Sequence, residues 1–111
     1  MARELLARGS VFTALFAFND LTAIGAIRAL RDAGLRVPEE VSVVGFDDLH
    51  HAAFHNPSLT TVHQPLDAMG EKAGEVLLGR LRGHRRWPTT VTIEPTLRVR
   101  ESTGPARRLA A

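Results

Sequence analysis

An unbroken apolar run, Val11 to Phe18 (VFTALFAF), stops at Asn19-Asp20. Its length and its β-branched and aromatic members predict a strand buried on both faces, as in a parallel sheet. Apolar residues then recur at helical spacing through Leu21, Ile24, Ile27 and Leu30. Asn19 or Asp20 is the expected N-cap, and Gly34 the stop just past the helix. Val37-Pro38-Glu39-Glu40 reads as a turn. Val41 to Phe46 reads as a second buried strand, ending on Asp47-Asp48. Strand, helix and strand in this compass predict one βαβ unit, with parallel strands and a right-handed crossover.

The flanking segments are less regular. Residues 1–10 read as the end of a truncated helix, Glu4 to Ala7 being its last turn and Gly9 its stop. His50 to Pro57 reads as irregular. Leu59 to Val62 is β-prone and ends at Gln64-Pro65. Asp67 is the expected cap of a second helix, from Ala68 to Leu81, with Met69, Ala73, Val76, Leu77 and Leu81 as its apolar positions. Gly79 and Gly83 weaken its end. Thr90 to Ile93 and Thr96 to Val99 are β-prone, and the break at Glu94-Pro95 suggests an edge or a bend. Residues 101–111 are expected to form a disordered tail.

Composition narrows the classes. A chain of 111 residues suffices for one small domain. With 44% hydrophobic and 23% charged residues it is not a wholly disordered chain. No apolar run approaches the ~20 residues of a membrane span, and the N-terminal stretch lacks the apolar core of a signal peptide. The absence of cysteine removes disulfides, thiolate metal sites and thiol nucleophiles, and fits a cytoplasmic setting. Every cation except Lys72 is arginine, which explains a pI near 10.4 at a net charge of only +2. The compact cluster Arg80, Arg82, Arg85 and Arg86, with His84, reads as a solvated helix end, a phosphate-binding role being its rival.

The candidate chemistry gathers where the two strands end. Ligands of open α/β sheets bind beyond the carboxyl ends of the strands. Asn19 and Asp47 would reach one rim there, offering a donor, an acceptor and a carboxylate to sugar hydroxyls or the N–H edge of a base. Capping and turn formation explain the same residues equally well. Asp20, Asp47 and Asp48 could instead hold Mg²⁺ or accept a phosphoryl group, but Lys72 lies far along the chain for a receiver-like site. His51 and His55 have metal-ligand spacing, yet with His50 they fall in a loop and read as surface residues. Ser42, Ser58 and His63 lack the spacing of a catalytic triad, and Trp87 before Pro88 reads as a packing residue.

Three blocks together resemble a known family: TALFAFNDLTAIGAIRALRDAGLRVPEEVSVVGFDDL, NPSLTTVHQPLDAMGEKAGEVLL and EPTLRVREST. They look like the C-terminal part of lactose-repressor/galactose-repressor family transcriptional regulators, from Val11 to about Thr103. The resemblance implies part of a periplasmic-binding-protein-like (type I) α/β fold, with residues 11–100 in the effector-binding and dimerisation domain. The helix within 67–83 would then belong to the other subdomain, its apolar face left without a partner. The resemblance implies a sugar-like or nucleoside-like effector held by Asn19 and Asp47, with Asp48 and Gln64 near the cleft. It implies a homodimer through the side carrying Ile24, Ile27, Ala53 and Phe54, no cofactor, no metal and no catalysis. DNA would be read by a helix-turn-helix domain that these residues do not include. A periplasmic sugar-binding protein of related fold is the alternative, and a Mg²⁺ or phosphoacceptor domain a weaker one.

Overall fold

The computed structural model describes residues 2–83 and 90–108. Their elements are α1 (Ala2–Ala7), β1 (Ala14–Phe16), α2 (Asp20–Asp32), β2 (Ser42–Asp47), α3 (His50–Phe54), β3 (Thr60–His63), α4 (Leu66–Leu81) and β4 (Thr96–Arg98). The sheet order is β1-β2-β3-β4, and both β1–β2 and β2–β3 are parallel. The α/β class and the βαβ unit expected from the strand–helix–strand pattern are therefore present. The chain divides into two compact units, Met1–His63 with Leu97–Ala111, and Gln64–Thr96.

In the first unit, α2 lies on β2. Asn19 caps it, its side-chain oxygen accepting Thr22 N at 2.9 Å, and Gly34 follows with φ +80. The buried face of α2 is made of Asp20, Ala23, Ala26, Ile27, Ala29 and Leu30, whereas Leu21 is exposed and Ile24 half-buried. The small residues follow from a close approach. A Cβ on Gly45 of β2 would sit 2.3 Å from Asp20 Oδ1 and 2.8 Å from Leu59 Cδ2. Ile27, Leu30, Val41, Val43 and Leu59 fill the space around this contact.

Several expectations need correction. The run from Val11 to Phe18 contributes only a three-residue strand, and it is not buried on both faces. Val11, Phe16 and Phe18 are exposed while Ala17 is buried, because β1 is an edge strand whose side chains alternate. His50 to Phe54 is helical, not irregular. Residues 90–95 form no strand. The expected tail is not free from Glu101 onward: Ser102 is fully buried, and Gly104 N donates to Ser42 Oγ at 3.1 Å.

In the second unit, α4 starts at Leu66 after Pro65. Asp67 lies in its first turn and does not cap it. Met69, Leu77, Leu78 and Leu81 are exposed, and Gly79 is the one buried residue of the helix. Met69, Ala73, Val76 and Leu77 line an open cavity of about 630 Å³ with Val91 and Ile93. Of the arginine cluster, Arg80 and Arg82 are described; His84, Arg85, Arg86 and Trp87 lie outside the described residues.

Candidate functional site

Parallel pairing brings the predicted rim residues to one end of the sheet. Ala14, Leu15 and Phe16 pair with Ser42, Val43 and Val44, and Ala17 N extends the ladder to Val44 O at 2.8 Å. Counted onward from that register, Asn19 falls opposite Asp47, just past the end of β1. On the other side, Asp47 pairs directly with His63 of β3. Asn19 and Asp47 thus come from adjacent strand ends and are both half-buried. The Asn19 cap uses Oδ1, which leaves its Nδ2 as the atom able to donate outward.

The backbone at the end of β2 is unusual. Asp47 has φ 107 and Asp48 φ 58, and these are the positive-φ residues other than glycine among the described residues. L-residues avoid this region, so a pair of them must be held there by surrounding contacts. Those contacts are present. Asp20 is fully buried; its Oδ2 accepts Leu49 N at 2.7 Å, and its Oδ1 accepts the hydroxyl of Thr61. Asp48 Oδ1 accepts Arg100 Nη2 at 2.6 Å, and its Oδ2 meets His63 Nδ1 at 3.0 Å. Burial, the largest single influence on the Asp48 carboxyl, pushes its pKa up. The hydrogen bond and charge of Arg100, joined by those of His63, outweigh burial and hold it below the ordinary aspartate value.

The segment Arg100 to Gly104, whose last four residues were read above as the start of a tail, is the clasp of this end of the sheet. Arg100 Nη1 donates to Leu59 O at 2.8 Å, and its backbone N donates to Thr60 Oγ1 at 2.8 Å. Glu101 Oε2 accepts both Ser58 N and Ser58 Oγ at 2.9 Å, which hold its pKa low. Ser102 Oγ donates to Val43 O at 2.6 Å and accepts Thr60 N at 2.8 Å. Sequence reasoning assigned the Arg-Glu-Ser-Thr run no structural role. Its signal was there: four residues of high hydrogen-bonding capacity in succession.

The remaining candidates separate. Asp20 faces Leu49 N and Thr61 while Asp48 faces Arg100 and His63, so these two aspartates are engaged separately. Among the described residues no group of three or more histidines and carboxylates is placed to hold a metal. His55 is turned to Pro57 O, its Nδ1 at 3.0 Å. Ser42 and Ser58 serve the clasp. Ile27 is fully buried in the core and offers no surface for a dimer. Phe54 and Ala53 are exposed, as is Leu21, and Ile24 is half-buried. Gln64 is half-buried and opens the second unit, its carbonyl accepting Leu66 N at 2.8 Å. No helix of the described residues is long and apolar enough to cross a membrane.

Residues 2–103 match the family model of the periplasmic binding protein-like domain. The HTH-type transcriptional repressor PurR of Pectobacterium atrosepticum is 42% identical over 106 residues, 94% of this chain and 31% of that protein. Among solved structures, the transcriptional regulator CelR–cellobiose complex superposes with a TM-score of 0.86 at 42% identity, over 91% of this chain and 31% of that one. The lac repressor dimer bound to operator and the anti-inducer ONPF gives a TM-score of 0.85 at 33% identity, over 92% and 35%. The chain therefore spans about a third of the length of the relatives it matches.

Proposed function

The chain belongs to the periplasmic binding protein-like domain family and corresponds to the effector-binding region of lactose-repressor/galactose-repressor-type regulators; from that premise we propose that it binds a small polar effector at Asn19 and Asp47. The observation that carries this reading is the strained end of β2. Asp47 sits at φ 107, level with Asn19, at the carboxyl ends of two adjacent parallel strands. Backbone strain of this kind costs about 1–3 kcal/mol per residue, persists only where surrounding contacts enforce it, and clusters at functional sites. An amide donor beside a carboxylate acceptor suits vicinal hydroxyls of a sugar, or the N–H edge of a base. The role is binding without catalysis. The relatives reported above are repressors and favour this reading over a periplasmic sugar-binding protein.

Homodimerisation belongs to the same reading. Phe54 and Leu21 are exposed large apolar residues on α3 and α2, which pack together, and Ile24 and Ala53 accompany them. Operator binding would need a DNA-reading domain beyond these residues, and regulation of transcription is proposed for a protein that carries one.

The direct test is calorimetric titration of the 111-residue chain with cellobiose, lactose, ribose and adenosine, alongside Asn19→Ala and Asp47→Ala. At least one compound should bind, and Asp47→Ala should weaken it tenfold or more, as expected for a lost hydrogen bond to a charged group. Binding that is unaffected by both substitutions would sink the assignment.

A further inference from the structure

The Asp47–Asp48 turn is braced from two directions. From α2, Asp20 takes Leu49 N. From the clasp, Arg100 reaches Asp48 at 2.6 Å with one guanidinium nitrogen while the other is fixed on Leu59 O at 2.8 Å. The backbone of Arg100 is itself tied to Thr60, whose hydroxyl accepts Arg100 N and contacts Thr103 Oγ1 at 2.8 Å. The guanidinium is therefore a short strut between the start of β3 and the end of β2. Its planar fork suits two acceptors at a fixed separation, which a flexible ammonium does not. Both oxygens of Asp48 are engaged, one by Arg100 and one by His63, and its side chain is only 12% exposed. Asp48 is thus a fixed point immediately beside Asp47.

We propose that Arg100 is a positioning residue for the effector rim. By pinning Asp48 it keeps Asp47 and Asp48 in a positive-φ conformation that L-residues adopt infrequently. The inference about backbone geometry stands on the contacts above; only its consequence for binding rests on the effector reading of Asp47.

The experiment is solution NMR on the 111-residue chain. A positive φ brings the amide and α protons of one residue close together, giving a strong intraresidue cross-peak. Wild type should show it for Asp47 and Asp48. Arg100→Met, which keeps the stem and removes the charge and fork, should weaken it at both residues while the amides of β2 keep their native shifts. Arg100→Lys should fall between the two. Unchanged cross-peaks in Arg100→Met would overturn the proposal. So would global unfolding of both Arg100→Met and Arg100→Lys, which would make Arg100 a general prop of the sheet. Cellobiose titrated onto the same samples separates the two readings. A turn that relaxes together with a tenfold or greater loss of affinity supports both. A turn that relaxes with no change in cellobiose binding keeps Arg100 as the positioner and removes Asp47 from the effector site.

Discussion

Ser102 donates its hydroxyl to the carbonyl of Val43, 59 residues earlier in the chain, at 2.6 Å. The same oxygen accepts Thr60 N, and Val43 N returns a bond to Ser102 O at 2.8 Å. One buried side chain thus satisfies backbone groups of two neighbouring strands. Leaving buried backbone groups unpaired costs more than the bonds themselves contribute. Ser102→Ala should therefore lower stability by about 2 kcal/mol, or roughly 10 °C in Tm for a domain of this size. Thermal unfolding by circular dichroism checks it, and a shift of a degree or two would mean that water replaces the hydroxyl.

Gly45 is required by contact, not by its backbone angle. Its missing Cβ leaves room for Asp20 Oδ1, and the next atom in the way belongs to Leu59. Gly45→Ala must push α2 off the sheet or displace Asp20 from Leu49 and Thr61. Overpacking of this kind costs about 1–3 kcal/mol, and losing a buried carboxylate's partners adds to it. The expected outcome is a chemical-denaturation midpoint well below wild type. A midpoint equal to wild type would show that the close approach is not obligatory.

Acid should expose the Asp48 cluster. Its carboxyl titrates below the ordinary aspartate value of 3.8 because Arg100 and His63 together outweigh burial. A depressed folded pKa means that the stabilisation is complete above the unfolded value and disappears as pH falls through the folded one. Asp48→Asn should therefore lower Tm at neutral pH. The gap to wild type should close as pH drops below about 4. A gap that stays constant from neutral pH to strongly acidic solution would assign the loss to packing instead of charge.

Self-association through the α2–α3 face makes a separate prediction. Phe54 is 86% exposed and Leu21 59% exposed, an apolar cost that a second copy would remove. Phe54→Glu combined with Leu21→Glu should shift sedimentation from dimer to monomer while leaving the circular dichroism spectrum unchanged. Wild type sedimenting as a monomer at tens of micromolar would refute the dimer face. Ile27, named with that face from the resemblance, is a core residue, and its substitution would test folding only.

Local rules carried the sequence reading a long way in some places and failed in others for definable reasons. Asn19, the α2 span and the Gly34 stop were readable because capping and left-handed glycine are properties of neighbouring residues. The second strand was readable from its apolar run. The buried face of α2 was readable only in part, at Ile27 and Leu30. Hydrophobicity points to Leu21 and Ile24, whereas the close contact at Gly45 selects the alanines and buries Asp20. The clasp was missed for a similar reason. Arg-Glu-Ser-Thr followed by Gly-Pro looks like a solvated tail until β2 and β3 are beside it with unpaired groups to offer. At the candidate site, the position of Asn19 and Asp47 followed from strand ends alone. The positive φ of Asp47, and the part played by Arg100, depend on contacts spanning 52 residues of sequence.

The clasp also has a bearing on how the protein is made. Val43 and Thr60 are synthesised before Ser102 and Arg100. Until then the open edge of the parallel pair, with buried N–H and C=O groups still unmatched, can recruit other strands. Completion of the sheet is set by the arrival of a distant segment, and closing such a long loop is slow compared with forming α2. The groups that lock the sheet are thus added after every residue of α2, β2 and β3.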